Sequence, residues 1–228
     1  MARGEWDALA VPLPAPLRAI VPDRLRDSPR LRALAVGSGL VPPRRMHSDE
    51  EAALLADLAQ GRRVAVEVGV YEGSSALVLC AALPLDSHLH LIDPFTANPT
   101  LLPGWRATEA ATRRVVERAR RRRGGPRVHW HVELSEQTAA GWSEPVGLVF
   151  VDGDHSEAGC RLDWELWSPL VAPGGVVAFH DARDGGGAEP GLPGPTAVVD
   201  SLFRGEQPVT GWRIAAEADT LVAVERIR

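Results

Sequence analysis

The tightest constraint on this chain is the run Val64-Ala65-Val66-Glu67-Val68-Gly69-Val70-Tyr71-Glu72-Gly73-Ser74-Ser75. Its first half is apolar and β-branched and reads as a buried strand. Two glycines and two serines then break the run, and residues 76–83 continue as an apolar helix that stops at Pro84. Strand, tight turn and helix N-terminus in that order make a cradle for a nucleotide-like ligand at the carboxyl end of a parallel strand. The glycine spacing narrows the choice. A dinucleotide fingerprint needs glycine at three places so that a pyrophosphate can approach the backbone, and Tyr71 and Ser74 fill the second and third. What remains is Glu67-x-Gly69-x-x-x-Gly73, with an acid on the strand just before the turn, a pattern suited to a ligand that carries an ammonium group.

The rest of the chain repeats the strand–helix rhythm. Strands are expected at about 63–69, 88–93, 127–132, 146–152 and 174–180, with helices near 75–83, 106–123, 135–142 and 156–170. Such alternation implies βαβ units and a parallel sheet covered on both faces, a Rossmann-like doubly wound α/β fold. The helix at 156–170 is expected to bury Ala158, Leu162, Leu166 and Leu170, which recur every four residues, with Ser156 as its cap. Upstream, Ser48 and Glu51 have the spacing of a capping box, and Leu54, Leu55 and Leu58 share a face before Gly61. This places a boundary near residue 48. Residues 48–228 form the main domain, and residues 1–47, rich in Pro and Arg, form an N-terminal extension with short helices near 17–20 and 24–36. The extension is open to three readings: an active-site cover, a homodimer arm or a packed appendage. Beyond Asp181, the glycine and proline run at 184–195 reads as a mobile surface loop and a candidate substrate lid. A helix at about 196–204 and strands at about 211–216 and 220–226 close the chain.

Composition excludes several classes. The 228 residues suffice for one α/β domain. No apolar run reaches transmembrane length, and Pro12, Pro14 and Pro16 interrupt the N-terminus, so no membrane partner and a cytoplasmic location are expected. Cys80 and Cys160 lie on apolar helix faces and read as buried free thiols. A formal charge of −5 argues against a nucleic-acid partner, and all the basic residues are Arg. The run Arg118 to Arg123 falls at a helix C-terminus, where cations complement the macrodipole. Trp164 and Trp167 read as core; Trp105 and Trp130 are left open, with Trp105 near the loop after Asp93 that could close over an acceptor. His88, His90, His129 and His131 fall in strands without the sequence spacing of a metal site and are assigned no chemistry.

Ligands of an open parallel sheet bind beyond the carboxyl ends of its strands. Gly69, Asp93, Ser135, Glu136, Asp152, His180 and Asp181 all fall at or just past those ends. With this convergence in place, the run 67–75 resembles the first motif of class I S-adenosylmethionine (SAM) dependent methyltransferases, in particular the catechol and caffeoyl-CoA O-methyltransferases and their bacterial sugar and natural-product relatives. The resemblance spans residues 61–228 and implies seven strands, mostly parallel, with the last two forming an antiparallel edge hairpin. It also implies that the acid at Asp93 holds the ribose, that Ser135 and Glu136 lie along the adenine, and that Glu67 and Tyr71 lie toward the methionine end, with Gly69, Gly73, Ser75 and Asp152 completing the cofactor set.

In the metal-dependent members, the first acid after the fourth strand and an acidic pair after the fifth hold a divalent cation. Carried onto this chain, the ligands are Asp152, His180 and Asp181, and the base position is His155, so that Asp152, His155 and His180 form the catalytic group. His180 stands where the family has a carboxylate, and His155 where it has a lysine. Methyl transfer from a sulfonium is an in-line displacement that also requires removal of a proton from the acceptor hydroxyl. The implied function is methylation of a small-molecule hydroxyl, on a sugar or an aromatic natural-product intermediate, with Mg2+ or Mn2+; one imidazole among carboxylates also suits Fe2+ or Zn2+. Four other readings stay open: a metal-free site with a histidine base, nucleic-acid methylation through the arginine run, a non-catalytic SAM-binding protein, and a nicotinamide oxidoreductase. The missing glycines count against the last.

Overall fold

The computed structural model describes residues 29–95, 108–184 and 191–227. Helix α1 (Pro29–Ser38) precedes α2 (Asp49–Ala59), and from there strands and helices alternate: β1 (Val64–Val68), α3 (Ser74–Ala82), β2 (His88–Ile92), α4 (Glu109–Arg123), β3 (Arg127–His131), α5 (Ser135–Ala140), β4 (Val146–Val151), α6 (Glu157–Trp167) and β5 (Val171–Phe179). A 3-10 turn at Ser168–Leu170 joins the last two; α7 (Pro193–Val199), a π-helical turn at Asp200–Arg204, β6 (Trp212–Ala218) and β7 (Leu221–Arg226) follow. The sheet order is β3-β2-β1-β4-β5-β7-β6. Every pairing from β3 to β5 is parallel, and β7 runs antiparallel to both β5 and β6, the expected edge hairpin.

Alternation along the strands builds two cores. Ala65, Leu89, Leu91, Leu148 and Phe150 pack against α2, α3 and α4, whereas Val66, Val68, Val149, Val151 and Phe179 face the layer that holds Trp164 and Trp167 of α6. A strand buried on both faces needs apolar residues at every position, and β1 and β4 meet that requirement except at Glu67 and Gly147. Strand β5 starts three residues earlier than expected. Its pairing shifts register between Val146 and Leu148, and Gly174, at φ +75°, lets the strand run through that irregularity.

The buried face of α6 corrects a sequence expectation. Cys160, Asp163, Trp164 and Trp167 point inward, while Ala158 and Leu162 are exposed. A strict four-residue spacing drifts about 40° per step around a helix of 3.6 residues per turn, so it leaves the core; the i, i+3, i+4, i+7 set stays on it. Ser156 does cap the helix, accepting from Gly159 N at 3.0 Å. Both cysteines are free and buried, and burial pushes each thiol up to about 12.

From residue 29 the N-terminal extension packs on the main domain. Helix α1 lies against α4, with Val36 buried and Arg118 Nη2 donating to Gly37 O at 2.6 Å. Arg32 meets the buried Glu72 carboxylate with two 2.6 Å bonds, and Arg44 N donates to the same carboxylate at 2.7 Å. Thus the extension clamps the loop that follows β1. The helix expected near 17–20, Trp105, and residues 185–190 of the candidate lid lie outside the described residues. Among the described residues, no helix is long and apolar enough to cross a membrane. Arg32→Ala would leave Glu72 buried with one backbone donor in place of three, so it is expected to destabilise the fold by about 2–3 kcal/mol, a Tm drop of roughly 4–10 °C; an unchanged melting curve would contradict the clamp.

Candidate active site

The site lies where β1, β2, β4 and β5 end. At the end of β1, Gly69 adopts φ +87°, and a Cβ there would stand 2.0 Å from the Asp152 carbonyl oxygen, so only glycine fits. Gly73, also at φ +87°, is the N-cap of α3. Between them Tyr71 holds a left-handed conformation, φ +50°, fixed by two neighbours: Thr112 Oγ1 of α4 donates to Tyr71 O at 2.7 Å, and Asp93 accepts from Tyr71 N at 2.8 Å. Asp93 also accepts from Val70 N at 2.9 Å and from Phe95 N at 2.6 Å. The acid at the tip of β2 therefore shapes two loops through three backbone donors.

Glu67 is fully buried beneath this loop. Its Oε1 pairs with the Ser75 hydroxyl at the start of α3, and its Oε2 has no hydrogen-bond partner. Burial pushes this carboxyl well above the usual range; the Ser75 bond opposes the shift, and the negative charges of Asp152 and Asp93 add to it. Burial therefore favours the protonated form of Glu67 under the turn. Ser74, the next hydroxyl, meets His47 Nε2 at 2.8 Å.

At the start of α5, Ser135 is turned inward. Its hydroxyl accepts from Trp167 Nε1 at 2.8 Å and faces Asp163 of α6, whose carboxyl burial raises to about 6 while the Ser135 hydroxyl opposes the shift. Glu136 is exposed at the same turn. The helix is capped from Gln137, whose Oε1 accepts from Leu134 N at 2.9 Å, and not by the Ser135 side chain.

The ends of β4 and β5 bring together Asp152, His155, His180 and Asp181, whose donor atoms all lie within 4.8 Å of one another. His180 Nδ1 is 3.0 Å from Asp152 Oδ1 and 3.4 Å from Asp181 Oδ2. Despite those distances this buried nitrogen makes no properly directed hydrogen bond. His155 Nε2 lies 3.2 Å from Asp152 Oδ1 and 3.5 Å from Asp181 Oδ2. On its other side, His180 Nε2 faces Glu51 Oε2 at 3.5 Å. An imidazole with a carboxylate behind one nitrogen and oxygen donors around the other is the arrangement that orients a metal-ligating histidine. The donor set therefore fits a divalent ion with mixed oxygen and nitrogen ligands.

Charge follows the same geometry. Burial would lower the His180 pKa, but Asp152, Asp181 and Glu51 outweigh it and hold the imidazole well above its ordinary value. His155 is also raised: burial lowers it, and the hydrogen bond and charge of Asp152 prevail. Asp152 is the converse case, pushed up by burial and held well below the usual carboxylate range by His180 and His155.

Glu51, Glu72, Asp163 and His47 were not singled out as site residues by their sequence. Glu51 has the clearest signal, its place in the capping box: Ser48 N donates to Oε2 at 2.8 Å and Glu51 N to Ser48 Oγ at 3.1 Å. The same carboxylate accepts from Thr220 N at 2.9 Å and Thr220 Oγ1 at 2.5 Å, and burial notwithstanding, its partners His180 and Thr220 hold its pKa at about 2.

Residues 66–182 match the family described as "Methyltransferase domain". A mouse protein, "Catechol O-methyltransferase domain-containing protein 1", is 31% identical over 159 residues, covering 68% of this chain and 56% of that protein, so the match spans little more than half of the relative's length. Among solved structures, the O-methyltransferase TomG from Streptomyces achromogenes, involved in tomaymycin synthesis and solved with SAM, superposes with a TM-score of 0.56 at 18% identity over 98% of this chain and 99% of that one. An O-methyltransferase from Bacillus cereus in complex with S-adenosylhomocysteine gives a TM-score of 0.56 at 19% identity, covering 90% and 92%.

Because burial holds the Glu67 carboxyl well above its ordinary pKa in the folded chain, folding takes up a proton above pH 4.5, and stability falls as pH rises toward the raised pKa. Glu67→Gln removes that slope, up to about 1.4 kcal/mol per pH unit. The variant is expected to gain in Tm relative to the parent between pH 5 and pH 8 in thermal unfolding; a parallel pH dependence of the two proteins would overturn the assignment.

Proposed function

Since the chain belongs to the methyltransferase-domain family, we propose that it transfers the methyl group of SAM to a hydroxyl of a small molecule, a sugar or an aromatic natural-product intermediate, using a divalent cation, Mg2+ or Mn2+. The observation that carries this reading is the junction at Gly69, where the glycine loop and the Asp152 backbone touch. It sets a cradle for a nucleoside beside a cluster of two acids and two histidines.

When bound, SAM supplies an electrophilic methyl group, and the cation makes the acceptor hydroxyl more acidic. The chain does the rest. Asp93 has about one lone-pair position left after its three backbone bonds, and this accepts a ribose hydroxyl. Tyr71, Gly73 and Ser75 frame the methionine end, and Glu67 supports that end from below through Ser75. Glu136, with the Ser135 backbone, borders the adenine. Asp152, His180 and Asp181 hold the ion, with Glu51 fixing the His180 ring. The acceptor's proton passes to His155, and Asp152 and Asp181 stabilise the imidazolium that results.

Calorimetric titration of SAM and S-adenosylhomocysteine tests the cofactor. Micromolar binding is expected, weakened about 10-fold or more in Asp93→Ala, the loss of a hydrogen bond to a charged group; no binding with or without Mg2+ or Mn2+ would remove the reading. Metal use is tested separately. Mn2+ binding is expected to displace the His180 proton, so the apparent heat should vary with the ionisation enthalpy of the buffer. Exhaustive chelation should abolish methyl transfer; full activity in protein shown to be metal-free would favour a histidine base acting alone.

A further inference from the structure

The four strand histidines that lack metal-site spacing in the sequence meet in the fold. Strands β2 and β3 are parallel, and their register pairs His90 with His129. Residues two apart on a strand share a face, so His88, His90, His129 and His131 all project from one side of the sheet at its edge. Their rings form a zigzag stack, with centroids 5.0 Å apart for His88–His129, 4.4 Å for His90–His129 and 5.3 Å for His90–His131. Trp142 closes one flank, edge-on to His90 at 4.5 Å.

We propose that this face is a binding site for a borderline divalent transition-metal ion, Zn2+, Co2+ or Ni2+, with His88, His90 and His129 as ligands. One ring nitrogen of each lies within 4.8 Å of the others. His88 Nδ1 and His129 Nε2 are 3.2 Å apart. Two nitrogens on a tetrahedral ion at Zn–N distances of about 2.0–2.1 Å stand about 3.3 Å apart, so this pair already has the ligand–ligand spacing. His131 Nε2 braces the third ligand, 3.0 Å from His90 Nδ1. A second observation points to a missing partner: His90 is 7% exposed, and its Nε2 makes no hydrogen bond, its nearest acid being Glu144 Oε1 at 3.6 Å. His88 and His129 are only half-buried, which gives an ion access from solvent.

The chemistry of the set decides the class of ion. Three imidazoles with no coordinating carboxylate favour Zn2+, Co2+, Ni2+ or Cu2+ over Mg2+ or Ca2+. The site is separate from the Asp152 cluster. His88 opens β2 at its amino end, whereas the cluster lies beyond the carboxyl ends of β4 and β5. A bound ion would tie the edge strand β3 to β2.

Equilibrium dialysis of the full chain against Zn2+, together with the visible spectrum after Co2+ addition, tests the proposal. The parent is expected to hold an equivalent of Zn2+ beyond any taken up at the Asp152 cluster, and the double variant His88→Gln/His129→Gln loses it, with affinity lowered more than roughly 100-fold, beyond the cost of losing an outer-shell partner. Asp152→Asn should keep that equivalent. Co2+ should give the intense bands of a tetrahedral nitrogen site in the parent and in Asp152→Asn, but not in the double variant. Circular dichroism verifies the fold, and the single variant His88→Gln, at a half-exposed position, serves if the double variant is unstable. Equal Zn2+ uptake by parent and variant, loss of the equivalent in Asp152→Asn alone, or absence of tetrahedral Co2+ bands would each overturn the site and leave a hydrogen-bonded imidazole stack.

Discussion

The contact between Gly69 and the Asp152 carbonyl is the constraint on which the functional edge of this protein depends. The two residues follow adjacent parallel strands, and Asp152 N continues the ladder by donating to Val68 O at 2.8 Å. With a carbonyl where a Cβ would be, the chain after β1 must turn through a left-handed residue, and the loop it enters is then drawn under Asp93. Had the strands ended further apart, the glycine loop and the acidic cluster would be two unrelated features. Held together, they set the glycine loop and the Asp152 cluster side by side at one edge of the sheet.

Glu51 performs a comparable service for the second half of the crevice. As a capping-box acid it fixes the start of α2; through Thr220 it ties that start to the β6–β7 turn; and through His180 it reaches the cluster. Thr220 Oγ1 also approaches Asp181 Oδ1 at 3.3 Å. A buried carboxylate with this many donors is held ionised against the cost of burial. Its charge then favours the arrangement in which His180 carries a proton on Nε2 and directs Nδ1 toward Asp152 and Asp181. A residue whose sequence signature is purely local thus sets the orientation of a residue 129 positions away.

The sheet was legible in the sequence because doubly buried parallel strands demand unbroken apolar, β-branched runs, and 64–68 and 146–151 have few other readings. Strand-end polar residues were legible for the same reason, as the first hydrophilic positions after such runs. Long-range pairings were not. Nothing in the spacing of Ser135 indicates that Trp167 and Asp163 will meet its hydroxyl, and nothing local to Glu72 indicates Arg32 as its partner. The α6 face was misassigned because leucines at intervals of four are more conspicuous than a stripe that includes an aspartate. The strand histidines were passed over because each strand supplies only half of the cluster, and the register that joins the halves is a tertiary property.

On the proposed reading, Asp93 would let recognition and structure share a residue without conflict. A carboxylate offers about four lone-pair positions, and three are taken by the amides of Val70, Tyr71 and Phe95. A ribose bound there would add to a group already oriented by the loop, so little side-chain freedom would be lost on binding. The coupling also runs in reverse. Tyr71 and Glu72 belong to the same loop, and the N-terminal extension grips them through Arg32 and Arg44. The shape of the cradle therefore depends on residues that precede the domain proper, and any movement of α1 would be felt first by the amides that hold Asp93.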